Sequence, residues 1–291
     1  MCDEKTEAEN ERWLFARRDV SLMAAGAAVA MMTPGCASGT APDQGLATAS
    51  RKVSITTPDG TADGFFVYPV KGRHPAVVLW PDVASLRPAY ETMATRLAGA
   101  GYAVLVINPY YRSAPAPIFQ SFAEWRTEAG QAKLQPMRAA LTPDATTRDA
   151  GAFADWLDAQ AQVDTQRKIG TAGYCMGGPF TLRTAAARPE RVGAAASFHG
   201  AGLVTNAPDS PHLLMPKMQA ALLIAIARND DEREPEAKTT LRTTAETAKR
   251  LAEIEVYPAQ HGWCTIDSPV YDREQAERAW ARMLATFSRS L

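Results

Sequence analysis

Residues 169–178 read Ile169-Gly170-Thr171-Ala172-Gly173-Tyr174-Cys175-Met176-Gly177-Gly178, a short apolar run that ends in Gly-Tyr-Cys-Met-Gly-Gly. A Gly-x-Cys-x-Gly spacing presents a nucleophile on a tight strand-to-helix turn. Such a turn strains the backbone of its central residue, and side chains two positions away on either side would collide with their neighbours. Gly173 and Gly177 remove those collisions. The sequence therefore predicts Cys175 exposed at a helix start, where the helix dipole favours a thiolate and the Met176 N–H can bond an oxyanion. A buried structural cysteine before a Gly-rich helix start is the competing reading of these six residues.

Order along the chain favours chemistry. On this kind of turn the nucleophile is followed by an acid and then a histidine, each after a later strand. Downstream, Ala221-Leu222-Leu223-Ile224-Ala225-Ile226-Ala227 reads as a buried strand that empties into Arg228-Asn229-Asp230-Asp231. Ile254-Glu255-Val256-Tyr257 reads as another strand, followed by Pro258-Ala259-Gln260 and His261-Gly262-Trp263. Each gap leaves room for a helix and a strand, as a doubly wound parallel sheet requires.

With these three segments in hand, the chain resembles the dienelactone hydrolases (carboxymethylenebutenolidases) of the α/β-hydrolase superfamily, over roughly residues 50 to 290. The resemblance implies a Cys-His-Asp triad, with Cys175 as nucleophile, His261 as general base and Asp230 as the acid that orients it; Asp231 is the alternative acid. After the strand Ala76-Val77-Val78-Leu79-Trp80, it places Asp82 where the family often carries a glutamate that contacts the resting cysteine. Val83 then stands where a backbone N–H completes the oxyanion hole begun by Met176. The segment Asn108-Pro109-Tyr110-Tyr111-Arg112 matches the one from which the family supplies an arginine for a substrate carboxylate, so Tyr111 and Arg112 are expected near substrate. The family's second such arginine, four residues after the histidine, is Thr265 here. His199 and Trp263 are expected to line the pocket. Attack on an ester or lactone would give a thioester at Cys175 and then hydrolysis, with no metal or organic cofactor required. A thioesterase or broad carboxylesterase fits the same residues. A non-catalytic envelope binding protein is the reading from another class.

The remaining histidines and cysteines read as background. His74 and His212 lie beside prolines and are expected on the surface. No pair of histidines has metal-ligand spacing with cysteine or carboxylate, which argues against a zinc site. Cys264 lies close to His261 in sequence, but the resemblance argues against a disulfide with Cys175, because the nucleophile must stay reduced.

The first 36 residues differ in character. Arg17-Arg18 precede the uncharged run Ala24-Ala25-Gly26-Ala27-Ala28-Val29-Ala30-Met31-Met32, which looks like a twin-arginine export signal and implies a bacterial periplasmic location. Gly35-Cys36 matches a lipoprotein cleavage site in part, so Cys36 is a candidate lipid anchor. Residues 37–50 are small and polar and read as a flexible tether, with little packed structure expected before residue 50. Residues 51–291 are then long enough for one α/β domain with a sizeable core. With 31 basic against 32 acidic residues, the chain has no electrostatic footprint for nucleic acid.

The expected architecture is an α/β-hydrolase fold, a mostly parallel doubly wound sheet preceded by an antiparallel hairpin. Lys52–Thr56 and Gly64–Tyr68 form that hairpin around the turn Pro58-Asp59-Gly60. Helical spacing marks Tyr90, Met93, Ala94 and Leu97, then Ala150, Phe153, Ala154 and Leu157, and a last helix at about Arg273–Ser288 that buries Ala276, Trp280, Leu284 and Phe287. Residues 113–145, carrying Phe119, Phe122 and Trp125, read as an irregular aromatic cap over the pocket.

Overall fold

The computed structural model describes residue 6, residues 8–12 and residues 45–291. The paired arginines, the alanine-rich run, Cys36 and residues 37–44 of the expected tether lie outside the described residues. Eight strands follow in chain order: β1 (Thr48–Thr57), β2 (Gly60–Pro69), β3 (Ala76–Trp80), β4 (Ala103–Ile107), β5 (Ile169–Tyr174), β6 (Val192–Phe198), β7 (Ala221–Ala227) and β8 (Ala252–Tyr257). They form one sheet in the order β1-β2-β4-β3-β5-β6-β7-β8. β1, β2 and β4 pair antiparallel, and every pairing from β4 through β8 is parallel. This is the α/β-hydrolase architecture with its N-terminal hairpin.

The hairpin is longer than its patterned residues, because ladder bonds need only backbone groups. β1 starts at Thr48, and the Leu46 N–H already donates to the Gly99 carbonyl at 2.8 Å. The expected tether to residue 50 therefore ends earlier.

The parallel strands β3, β4 and β7 read as continuous apolar runs because both faces are covered, whereas the edge strand β8 carries Glu253 and Glu255 and is mostly half-buried. Along β3, Ala76, Val78 and Trp80 face one core layer, and Val77 and Leu79 face the other. Helices α4 (Pro143–Asp158) and α5 (Gly178–Ala187) fill the first layer through Phe153, Leu157 and Leu182. Helices α1 (Pro88–Gly99) and α8 (Arg273–Ser290) fill the second through Tyr90, Leu97, Met283 and Phe287. In α8, Ala276 and Phe287 are buried as expected. Ala279 and Met283 take the seam positions, and Trp280 and Leu284 are only half-buried at its edge.

The cap is more regular than its sequence suggests. It contains α2 (Phe122–Trp125) and α3 (Glu128–Arg138), started by Ser121 and Thr127, whose hydroxyls accept from the N–H groups of Glu124 and Gly130. α6 (Arg228–Arg233) and α7 (Ala237–Thr247) follow β7. Among the described residues no helix is long and apolar enough to cross a membrane.

Strand order reverses at β3, with β4 on one side and β5 on the other, so the carboxyl ends of β3 and β5 open the crevice where such sheets bind ligands. There the chain packs backbone against backbone. A Cβ on Gly177 would stand 2.5 Å from the Trp80 carbonyl oxygen, and one on Gly173 would stand 2.1 Å from the Gly177 carbonyl oxygen. Both clashes are with main chain that cannot rotate away. Gly177→Ala is therefore expected to destabilise the fold by about 1–3 kcal/mol, the usual cost of overpacking, with Gly99→Ala as a control, since a Cβ there meets nothing closer than 3.8 Å. Urea unfolding of the two variants makes the comparison, and equal midpoints would contradict it.

Candidate active site

Cys175 follows β5 at a φ of +53°, opens a one-turn 3-10 segment (Cys175–Gly177) and leads directly into α5. This is the strained turn that the Gly-x-Cys-x-Gly spacing predicts. The expectation of an exposed sulfur is corrected: Cys175 is only 1% accessible. It belongs to the buried core layer that also includes Phe119, Phe122 and Trp125. Neither Cys175 nor Cys264 is in a disulfide among the described residues.

The loops after β7 and β8 bring an acid and an imidazole to the same edge. His261 Nδ1 donates to Asp230 Oδ2 at 2.7 Å. Asp231, the alternative acid, instead accepts from Lys238 Nζ at 2.8 and 2.7 Å. The difference is geometric, since adjacent residues at the start of α6 point about 100° apart around the helix. Asp230 Oδ1 accepts from Arg233 one turn on. Asn229 fixes the histidine loop from its other end, its Oδ1 accepting the His261 backbone N–H at 2.8 Å.

Burial opposes charge on the His261 ring, but the Asp230 carboxylate and the Cys175 sulfur outweigh it, and the pKa is pushed up to about 10. Burial likewise opposes charge on Asp230, yet the imidazole beside it holds its pKa below the usual carboxylate value. The site thus favours an imidazolium beside the Asp230 carboxylate.

His199 closes this edge at the end of β6. Its φ is +39°, it is 1% accessible, and its ring centroid lies 4.8 Å from that of His261 and 5.2 Å from that of Trp263. Trp263 is fully buried and stacks on Tyr257. Burial pushes the His199 pKa down, so this ring is neutral near pH 7. One ligand atom each from Cys175, His199 and His261 lie within 4.8 Å of one another. The sequence spacing argued against a metal site, whereas the sheet edge brings three potential ligands together from three separate loops. His212 also departs from expectation: it is buried and bonded to the Ser210 hydroxyl at 2.8 Å.

On the β3 side, Val83 and Met176 are held together by Tyr110, whose hydroxyl lies 3.1 Å from both the Val83 carbonyl oxygen and Met176 Sδ. Asp82 is engaged by Arg87, which donates to its two oxygens at 2.7 and 3.0 Å. Arg87 also donates to both oxygens of Asp267, at 2.8 and 2.7 Å, and Asp267 accepts the Phe122 N–H at 2.9 Å. One buried guanidinium therefore ties the β3 loop, the stretch after His261 and the cap together. Its position gives no periodic or motif signal, and the sequence reading missed it, along with Asp267, Asn229 and Tyr110.

Comparison with known proteins bears on the family. The model of the dienelactone hydrolase family matches residues 62–291. The chain belongs to the dienelactone hydrolase family. A carboxymethylenebutenolidase of Rhodococcus opacus is 30% identical over 151 residues, covering 52% of each protein. Carboxymethylenebutenolidase 1 of Cupriavidus pinatubonensis is 23% identical over 233 residues, 80% of this chain and 94% of that one. Among solved structures, a dienelactone hydrolase-like promiscuous phosphotriesterase from metagenomic libraries superposes with a TM-score of 0.68 at 24% identity, covering 84% of this chain and 99% of that one. The protein is thus an ester or lactone hydrolase.

Two expected substrate residues of this family member are occupied elsewhere. Arg112 donates to both oxygens of Asp149 at 2.8 Å and to Asp59 at 2.6 Å, and it stacks on Tyr111. Tyr111 donates to Asp149 at 2.7 Å. The pair closes the β1–β2 turn against α4. Thr265, at the place of the family's second arginine, is 1% accessible.

The N-terminal helical residues reach the same edge, against the expectation of little packing there. Asn10 Nδ2 donates to the His261 carbonyl at 3.1 Å, Asn229 Nδ2 donates to Glu9 at 3.1 Å, and Arg233 donates to Thr6 at 2.6 Å. Thr6 and Asn10 are buried by these contacts.

The raised pKa of His261 has a defined consequence for stability. A group whose folded pKa lies above its unfolded value of 6.5 contributes fully below that pH and loses the contribution as pH rises towards about 10. The stability difference between the parent and His261→Gln should therefore shrink between pH 6.5 and 10, measured by urea unfolding. A difference that stays flat or grows would contradict the charged imidazole.

Proposed function

We propose that the protein hydrolyses esters or lactones through a covalent thioester on Cys175, with His261 as base and acid and Asp230 as its orienting carboxylate. The observation that carries this reading is the 2.7 Å Asp230–His261 bond at the sheet edge where Cys175 is held at positive φ, its sulfur within 4.8 Å of the imidazole. The thiolate adds to the carbonyl carbon, and the Met176 and Val83 N–H groups take the oxyanion. Imidazolium then gives its proton to the leaving oxygen, and a water that loses its proton to His261 cleaves the thioester. Asp230 holds the Nδ1–H tautomer throughout.

The substrate side points away from the family's anionic lactone. Arg112 is neutralised by Asp149 and Asp59, and Thr265 supplies no charge, so among the described residues neither position offers an unpaired guanidinium to a substrate carboxylate. We infer a preference for neutral esters or lactones. On p-nitrophenyl acetate, Cys175→Ala and His261→Ala should each lose about a thousandfold in kcat or more, and Asp230→Asn at least about a hundredfold. Asp231→Asn should change little. Rapid-quench mass spectrometry should find the acyl group on Cys175. Equal turnover by the parent and Cys175→Ala would overturn the assignment, and turnover of a dienelactone well above that of neutral esters would overturn the preference.

Arg17-Arg18 and the apolar run after them support export through a twin-arginine signal, with Cys36 as the candidate lipid anchor. In this reading, cleavage removes Thr6, Glu9 and Asn10 from the histidine and acid loops as the protein matures. N-terminal sequencing of protein from the periplasmic fraction should begin at or beyond residue 36. An intact Met1 there would contradict it.

A further inference from the structure

We propose that Cys175, His199 and His261 together form a binding site for a thiophilic divalent cation such as Zn²⁺, and that the bound cation reversibly switches the hydrolase off. The inhibitory half rests on the roles assigned above to Cys175 and His261; the site itself rests on geometry.

The three ligand atoms lie within 4.8 Å of one another, and all three residues are buried. Tetrahedral zinc at about 2.0–2.1 Å from nitrogen and 2.3 Å from sulfur separates its ligands by roughly 3.5 Å, so side-chain rotation of a few tenths of an ångström to an ångström closes the set. The orientation of each imidazole favours this. Asp230 holds Nδ1 of His261, which leaves Nε2 facing the sulfur, the carboxylate–imidazole–metal order common to zinc sites. Both His199 and His261 interact with the Cys175 side chain, so the two rings converge on one sulfur. Three donors converging on one buried point are what a cation needs to replace its water shell.

The site is also preorganised. His199 is fixed by its positive φ at the end of β6 and wedged against Tyr174, His261 and Trp263, with ring centroids 6.2, 4.8 and 5.2 Å away. The residue after it, Gly200, is hemmed in: a Cβ there would meet the Ser197 hydroxyl of β6 at 2.4 Å and the Gly178 Cα at the start of α5 at 3.2 Å, so the loop has little room to shift. One thiolate and two imidazoles are a soft donor set that selects Zn²⁺, Cd²⁺ or Co²⁺ over Mg²⁺ and Ca²⁺. The bonding balances without redox chemistry. Sulfur and two nitrogens each give a lone pair, the one proton shared by Cys175 and His261 leaves to solvent, and a water takes the fourth position. Nucleophile and base are then both occupied.

Co²⁺ is the probe. Added to the purified full-length protein, it should bind one per chain, with a sulfur-to-cobalt charge-transfer band in the near ultraviolet and the intense visible bands of tetrahedral cobalt. Cys175→Ser should lose the near-ultraviolet band, and His199→Gln and His199→Phe should bind at least tenfold more weakly. Zn²⁺ should displace Co²⁺ over the same concentrations at which it inhibits ester hydrolysis, and a chelator should restore turnover. Where the His199 variants fail to fold, X-ray absorption on the Zn²⁺-loaded parent should count one sulfur and two imidazole nitrogens. No cobalt binding, an unchanged affinity in both folded His199 variants, a shell lacking sulfur or the second imidazole, or activation by Zn²⁺ would each overturn the proposal. A cobalt site in a protein that turns over no ester would sink the hydrolytic reading and leave the site standing, whereas Cys175-dependent turnover without cobalt binding would do the reverse.

Discussion

The close approach of three backbones at the ends of β3, β5 and β6 is the constraint on which the rest of the structure depends. Gly177 lies against the main chain of Trp80 and Pro81, Gly173 against Gly177, and Gly178 against Gly200. None of these contacts admits a Cβ. They push the turn after β5 into the crevice where strand order reverses and force Cys175 to positive φ. They also bring the β6 end, with His199, against the start of α5. The strain is offset by the packing of α5 and the sheet around it, as strain at functional turns generally is.

A second constraint holds the loops around that turn. Arg87 is 1% accessible and faces two carboxylates, one before it in the β3 loop and one beyond His261. A charge buried this deeply persists only when it is paired and fully hydrogen-bonded, and removing one partner of such a pair costs about 3–5 kcal/mol. Because Asp267 also caps the first N–H of α2, the same network anchors the aromatic segment to the loop after His261. The β3 loop and the loop after His261 are therefore coupled through one guanidinium, with Tyr110 linking Val83 to Met176 on the inner side.

The electrostatics at the edge follow from burial as much as from charge. Two imidazoles sit side by side, yet they titrate in opposite directions. His261 has a carboxylate behind it and is held charged, while His199 has no acid partner and is held neutral. The contrast comes chiefly from Asp230, and it leaves one ring charged beside a neighbour that carries one N–H and one lone pair.

The sequence by itself determined the fold class, the hairpin, the strand that carries each site residue, and the order of cysteine, acid and histidine. These are local matters: apolar runs fix buried strands, and glycines two residues from a cysteine fix a turn that few other sequences can make. Only the tertiary structure decided between Asp230 and Asp231, because helix rotation points one at His261 and the other at Lys238. It alone buried Cys175, engaged Arg112 with Asp149, placed His199 beside the sulfur and seated Asn10 on the histidine loop. Those outcomes depend on residues far apart in the chain meeting across a sheet edge. Periodicity and spacing carry no record of such meetings, since each partner's position is set by the packing of a different helix or strand.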